Sequence, residues 1–232
     1  MATFVLVHGT TAGGWVWKPI ARSLRAAGHE VYAPTLTGLG ERVHLATPEV
    51  NLDTHITDVV NVIEYEDLRD VVLVGHSYGG MVIAGVAERI PDRLAHLVFH
   101  DALVPHDGES LITHMPAERR RAIEEQVRTA GKGWLIPIRR STSDVSTKNE
   151  PHPWASWAQP LKVGNPAAVT IPRTYLRCTA DKGPGGAFEG IMELSLSRAK
   201  AGGWRIREMD TVHQISPNPG IVAETLLDLF PN

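Results

Sequence analysis

Short apolar runs alternate with longer stretches of helical periodicity along most of the chain. The apolar runs predict six strands, which are Thr3 to His8, Glu30 to Ala33, Val71 to Gly75, Leu94 to Phe99, Pro172 to Cys178 and Trp204 to Met209. The intervening stretches predict helices, which are Lys18 to Ala27, Thr54 to Glu66, Tyr78 to Arg89, Phe188 to Ala201 and Pro219 to Leu229. This alternation predicts an α/β fold with a doubly wound, mainly parallel six-stranded sheet.

The alternation is interrupted after the fourth strand. Residues 102–168, called the cap segment below, contain a charged helical stretch from Pro116 to Thr129 and then a Pro-, Trp- and Ser-rich stretch with little periodicity. We predict that they form a cap inserted into a single domain, whose core is made of residues 1–101 and 169–232. The run from Glu118 to Arg121 is expected to be a solvated face of the cap helix.

Composition excludes several kinds of partner and cofactor. The 232 residues carry a formal net charge of −3 and contain no block of five or six like charges, which argues against nucleic acid and membrane surfaces and favours a small molecule. The sequence leaves a homodimer open. No HExxH motif occurs, and Gly38-Leu39-Gly40 lacks the rest of a dinucleotide fingerprint. We therefore expect neither a metal nor a cofactor.

Cys178 is the only cysteine, so an intrachain disulfide and a zinc site built from several thiolates are both excluded. Because this thiol lies in an apolar strand, we expect it to be a buried strand residue and not a second nucleophile. The first apolar run has no basic region before it, and no apolar stretch is long enough to span a membrane. These observations predict a cytoplasmic protein.

The run Gly75-His76-Ser77-Tyr78-Gly79 lies between a predicted strand and a predicted helix. A GxSxG sequence in this setting is typical of a nucleophile elbow, in which the glycines let strand and helix approach closely. We expect Ser77 to be held exposed, in a strained backbone conformation, as a catalytic nucleophile.

A serine hydroxyl needs a base to take its proton, and the base needs a carboxylate to orient it. His213 follows the last predicted strand and Asp181 follows the one before, so both reach the carboxyl edge of the sheet together with Ser77. We predict Ser77, Asp181 and His213 as the triad, with Asp101 as the better reserve carboxylate and Asp210 as the other. Most of the 11 histidines are expected to be surface or capping groups.

The tetrahedral intermediate of such a reaction needs two backbone donors for its oxyanion. One comes from the residue after the nucleophile, Tyr78, and the other from the loop after the first strand, Thr10. The Gly-rich run from His8 to Gly14 permits the close backbone approach that this role requires.

Several segments together resemble the α/β-hydrolase family of plant methyl esterases and hydroxynitrile lyases, and the bacterial relatives that hydrolyse esters or carbamates. The resemblance covers nearly the whole chain and is weakest in the cap segment. It is carried by Phe4 to Gly9, Trp15, Trp17, Leu24 to His29, Gly75 to Gly80 and Cys178 to Lys182. It implies the α/β-hydrolase fold and a serine esterase or carbamate hydrolase in which Ser77 is the nucleophile, Asp181 the acid and His213 the base.

The lyases of this family resemble the esterases but have a threonine directly after the first-strand histidine and a lysine directly after the catalytic histidine. This chain has Gly9 and Gln214 at these positions. Without a cation near the base, departing cyanide lacks a stabilising group, so hydrolysis is favoured. Thr10 and Thr11 keep a cyanohydrin lyase as an alternative, and a non-catalytic small-ligand receptor is a third.

Substrate choice is expected to depend on a pocket formed by the first loop and the cap segment. Its predicted lining is Gly9, Thr11, Leu103, Val104, Trp134, Trp154 and Trp157. The tryptophans fit the hydrophobic core of the cap equally well.

Overall fold

A six-stranded parallel sheet forms the centre of the protein, in the order β2-β1-β3-β4-β7-β8. The structure is a computed structural model that describes residues 1–138, 148–180 and 189–231. The sheet strands are β1 (Thr3–Val7), β2 (Glu30–Tyr32), β3 (Val71–His76), β4 (Leu94–His100), β7 (Arg173–Cys178) and β8 (Arg205–Met209). The predicted doubly wound α/β sheet is confirmed.

Helices connect the strands and cover both faces of the sheet. In the core they are α1 (Lys18–Ala26), α2 (Leu52–Tyr65), α3 (Gly79–Arg89), α7 (Glu189–Ala201) and α8 (Pro219–Leu229). Successive strand residues point to opposite faces. Val5 and Val7 therefore pack with α2, α3 and α7, whereas Phe4 and Leu6 pack with α1 and α8.

The residues between β4 and β7 add small elements on one side of the sheet. These are α4 (Ala117–Thr129), a two-stranded antiparallel ribbon of β5 (Leu135–Ile136) and β6 (His152–Pro153), α5 (Trp154–Ala158) and α6 (Pro166–Val169). Buried residues of this segment, such as Leu111, Val127 and Trp157, belong to the same hydrophobic cluster as α2 and α3. Arg120 and Arg121 on α4 are exposed, as expected, whereas Arg119 is partly buried.

Strand order positions the candidate site. The chain runs from β1 to β2 on one side of β1 and then crosses to β3 on the other side, so a crevice opens beyond the carboxyl ends of the strands. The loops after β1, β3, β4 and β8 all begin at this edge. They contain Thr10, Ser77, Asp101 and His213, respectively.

Candidate active site

Ser77 lies on a tight turn between β3 and α3, and its φ of 55° is in the left-handed region that costs a non-glycine residue energy. The flanking glycines make the turn sterically feasible. A Cβ at Gly75 would lie 2.6 Å from the Gly79 carbonyl oxygen, and one at Gly79 would lie 2.8 Å from that of Val7. The turn therefore has the geometry of a nucleophile elbow.

The expectation that Ser77 is exposed is wrong, because only 3% of the residue is accessible. The first residues of the cap segment run across the elbow. The Leu103 amide donates to the Ser77 carbonyl at 3.1 Å, and a Cβ at Gly80 would overlap the Leu103 backbone. Backbone that crosses the turn this closely removes the serine from bulk solvent.

The structure brings Ser77 and His213 within hydrogen-bonding distance. Ser77 Oγ lies 3.1 Å from His213 Nε2, and His213 Nδ1 lies 2.6 Å from Asp101 Oδ2. The carboxylate accepts from Nδ1–H, so the lone pair of Nε2 faces the serine hydroxyl and can accept its proton. Asp101 is buried, whereas the His213 side chain keeps 21% of its surface exposed.

Asp101, the reserve carboxylate of the sequence analysis, thus stands where Asp181 was expected. Asp181 lies outside the described residues. The structure gives Asp101 a φ of 41° and joins its amide to the Leu176 carbonyl at 2.7 Å, which turns the chain sharply at the end of β4. Asp210, the other reserve, is exposed.

His76, the residue before the serine, holds the loop that contains His213, the candidate base. Its Nε2–H donates to the His213 carbonyl at 2.8 Å, and the two rings lie with centroids 4.8 Å apart. His100 packs on the other side of His76, with centroids 5.1 Å apart. The position of His213 is therefore fixed through its backbone by the elbow and through its ring by Asp101.

Burial keeps the histidines around His213 neutral. It lowers the pKa of His76 well below its usual value and the pKa of His100 to about 4, and the nearby His213 would repel a charge on either ring. Neutral neighbours do not oppose a positive charge on His213. The Asp101 carboxylate is then the charged group in contact with the His213 ring when that ring is protonated.

The expectation that most histidines are surface or capping groups is wrong. Only His44 and His106 are exposed. Burial lowers the pKa of both His8 and His55 to about 4 and that of His152 well below its usual value. Sequence periodicity does not reveal these positions, because the groups that bury them come from distant parts of the chain.

We predict a steep loss of stability in acid. Folded His8, His55 and His100 have a pKa of about 4 against 6.5 when unfolded, so the unfolded chain takes up protons first as the pH falls below 6.5. Each residue then destabilises the fold by up to about 3 kcal/mol at pH 4. Urea unfolding between pH 7.5 and 5 is expected to show a slope of at least about 4 kcal/mol per pH unit near pH 5, because the lowered pKa values of His76 and His152 add to the effect of these three residues.

Two variants test the origin of that slope. His100→Gln removes one buried imidazole and is expected to reduce the slope by about 1.4 kcal/mol per pH unit. His44→Gln removes an exposed imidazole and should leave the slope unchanged. An unchanged slope in His100→Gln would contradict the assignment.

The loop after β1 lies directly against the elbow. A Cβ at Gly9 would lie 2.9 Å from His76 Nδ1 and 3.0 Å from Ser77 Cβ. His8 Nε2 accepts from the Leu36 amide at 3.0 Å, so its Nδ1–H donates to the Gly9 carbonyl at 2.8 Å. Because C=O and N–H point in opposite directions across a trans peptide, this bond turns the Thr10 N–H away from His8.

Tyr78, the other predicted oxyanion donor, is anchored through its side chain. His55 Nε2–H donates to the Thr37 carbonyl at 3.0 Å, so His55 Nδ1 accepts from the Tyr78 hydroxyl at 2.9 Å. Within the described ranges, neither the Thr10 nor the Tyr78 backbone N–H is joined to another protein group. Both amides thus remain available to a ligand oxygen.

The predicted pocket residues lie in different surroundings. Leu103 crosses the elbow, whereas the Val104 amide donates to Ser195 Oγ on α7 at 3.2 Å. Trp157 is buried against the His152 ring, and Trp154 packs on the same hydrophobic cluster. Trp134 is half-buried. Their contact with substrate stays a prediction.

Residues 1–138, 148–180 and 189–231 contain neither a cluster of metal ligands nor a membrane-spanning helix. These ranges contain no group of three or more His, Cys, Asp or Glu side chains arranged to hold a metal ion. None of their helices is long and apolar enough to cross a membrane. Cys178 is buried in β7, as expected.

Known proteins are similar to this chain in sequence and in fold. A carbendazim hydrolyzing esterase from Nocardioides sp. (strain SG-4G) is 56% identical over 116 residues, which are 50% of this chain and 48% of that protein. Esterase PIR7B from Oryza sativa subsp. japonica is 35% identical over 136 residues, 57% of this chain and 48% of that protein. The matched stretches span about half the length of these curated relatives.

A solved structure matches over the full length of both chains. It is an extracellular α/β-hydrolase from a Paenibacillus species that shares structural and functional homology with tobacco salicylic acid binding protein 2. It is 28% identical to this chain, with a TM-score of 0.80 and 100% coverage of each chain. Residues 4–217 match the model of the alpha/beta hydrolase family. With the elbow, the strand order and this match in agreement, the chain belongs to the alpha/beta hydrolase family.

Proposed function

We propose that the protein is a serine hydrolase that cleaves a small carboxylic or carbamate ester through an acyl-enzyme intermediate. The observation that carries this proposal is the chain of contacts from Ser77 Oγ to His213 Nε2 at 3.1 Å, and from His213 Nδ1 to Asp101 at 2.6 Å. Nucleophile, base and orienting carboxylate stand in the relation that acyl transfer requires.

The reaction proceeds in two halves. His213 takes the proton of Ser77 as Oγ attacks the carbonyl carbon, and Asp101 stabilises the resulting imidazolium. The Thr10 and Tyr78 amides donate to the tetrahedral oxyanion, and His213 then protonates the departing alcohol. Water repeats the sequence on the acyl-enzyme, and the acid leaves.

The relatives support an ester or carbamate as the substrate. One is named a carbendazim hydrolyzing esterase and is 56% identical over half of this chain, and another is named an esterase. A carbamate nitrogen donates electrons into the carbonyl and makes it less electrophilic. A carbamate hydrolase therefore depends strongly on contacts that are made only in the transition state.

Position 9 argues against cyanohydrin cleavage. A side chain there would collide with His76 and Ser77, since a Cβ already comes within 3.0 Å of both. The threonine expected of a lyase therefore does not fit without a shift of the loop. Gln214, which stands where a lyase has lysine, is exposed and uncharged.

A substrate panel with a covalent probe tests the proposal. Wild type is expected to hydrolyse nitrophenyl esters or a methyl carbamate, and a labelled fluorophosphonate should modify one residue, identified as Ser77 by peptide mapping. Ser77→Ala should not be labelled. Turnover of mandelonitrile alone would instead indicate a lyase. The absence of both turnover and labelling would indicate a ligand receptor.

A further inference from the structure

One histidine of the cap segment reaches into the loop that bears the proposed oxyanion donor. His152 is fully buried on β6, and its Nδ1 lies 3.2 Å from the Thr11 amide nitrogen. Its ring packs against Tyr78 and His55, with centroid distances of 5.1 and 5.7 Å. His152 therefore contacts the backbone next to Thr10 and the side chain of Tyr78, the two residues whose amides would hold an oxyanion.

The hydrogen bonds around His152 define its tautomer. The Ser156 hydroxyl donates its single proton to the Pro153 carbonyl at 2.8 Å, so Ser156 Oγ accepts from His152 Nε2–H, also at 2.8 Å. The lone pair of Nδ1 is then free to accept from the Thr11 amide. Burial lowers the pKa of His152 well below its usual value, which keeps the ring neutral and Nδ1 an acceptor.

Thr11 has a backbone conformation that needs such support. Its φ is 61°, and the Ala12 amide donates to the Thr10 carbonyl at 2.7 Å, which is the hydrogen-bond pattern of a γ-turn. A β-branched residue at positive φ is strained. The Glu150 amide donates to the Thr11 carbonyl at 2.8 Å, so the cap segment holds Thr11 on both sides.

We propose that His152 is a positioning residue for the oxyanion site, because its Nδ1 fixes the Thr10–Thr11 peptide and with it the direction of the neighbouring Thr10 amide. His8 holds the peptide on the other side of Thr10 through the Gly9 carbonyl. His8 from the core and His152 from the cap segment thus fix the peptides on either side of Thr10. This role rests on the proposed function, since it matters for catalysis only if the Thr10 amide receives an oxyanion.

A matched pair of variants separates the acceptor from the bulk of the ring. In His152→Asn the side-chain oxygen occupies roughly the place of Nδ1 and can still accept from Thr11. In His152→Gln the amide occupies roughly the place of Nε2, so the contact with Ser156 survives and the Thr11 amide loses its acceptor. We expect His152→Gln to lower kcat by about 10- to 100-fold with little change in KM, because small misplacements of catalytic groups have effects of this size. His152→Asn should recover most of kcat.

Amide hydrogen exchange supplies a readout that does not require turnover. The Thr11 amide is expected to exchange at least about 10-fold faster in His152→Gln than in His152→Asn or wild type, because only the Gln variant lacks its acceptor. Equal kcat in the two variants, or a loss that appears in KM, would overturn the positioning role. Equal exchange rates of the Thr11 amide in the two variants would show that His152 Nδ1 does not bind this amide. If wild type hydrolyses neither an ester nor a carbamate, the proposed function fails and the positioning role fails with it. Amide exchange then still decides whether His152 binds the Thr11 amide.

Discussion

Ser77→Ala is expected to lower kcat by about 10⁶-fold on the best ester or carbamate of the panel. Alanine removes the only atom that attacks the carbonyl in the proposed mechanism, while the glycines and the Thr10 and Tyr78 amides stay in place. Steady-state kinetics with enough enzyme to detect slow turnover would measure the loss. Residual catalysis over water is expected, because binding and the oxyanion donors remain.

The substitution should leave the fold intact, which makes the kinetic result interpretable. Ser77 Oγ contacts His213, and alanine at a φ of 55° carries about the same backbone strain as serine. The melting temperature should therefore change by only a few degrees. A variant that retains wild-type kcat would show that Ser77 is not the nucleophile.

Asp101→Asn is expected to lower kcat by about 10⁴-fold. An asparagine amide that donates to His213 Nδ1 would select the tautomer whose Nε2 carries hydrogen, and that nitrogen cannot accept the serine proton. The left-handed φ of 41° at position 101 suits asparagine. The variant should therefore lose kcat while its melting temperature changes little, and thermal unfolding would check this.

Asp181→Asn is the matched control, since it makes the same chemical change at the carboxylate that chain order selects. We expect kcat of this variant to stay within about 10-fold of wild type, because the structure gives the His213 Nδ1–H to Asp101. A 10⁴-fold loss in Asp181→Asn with a small loss in Asp101→Asn would reverse the assignment and restore Asp181 as the acid.

The sequence predicts the sheet and the serine–histidine pair because both follow from local patterns. Apolar runs define the strands, and parallel strands bring their carboxyl ends to one edge, so Ser77 after β3 and His213 after β8 converge. The carboxylate is harder to predict, because three strands are closely followed by an aspartate. Asp101 directly follows β4, the strand beside that of the serine, whereas Asp181 comes after β7 in the sequence, and β7 is one strand further from β3.

Long-range contacts account for what the sequence does not reveal. His152 and Thr11 are 141 residues apart, and His76 contacts the backbone 137 residues later at His213. Neither pair lies within one helical or strand period, so no local pattern indicates the contact. The burial of Ser77 cannot be predicted from local sequence for the same reason, because the backbone that covers it, at Leu103, comes from another loop.

The passage of Leu103 over Gly80 limits where chimeras of this protein can be joined. The junction from Asp101 to Val104 is seated on the elbow so tightly that a methyl group on the helix below it would collide with the passing backbone. A cap segment transplanted from a relative should accordingly be joined after Val104. A junction placed before Asp101 would replace the candidate catalytic carboxylate together with the cap segment.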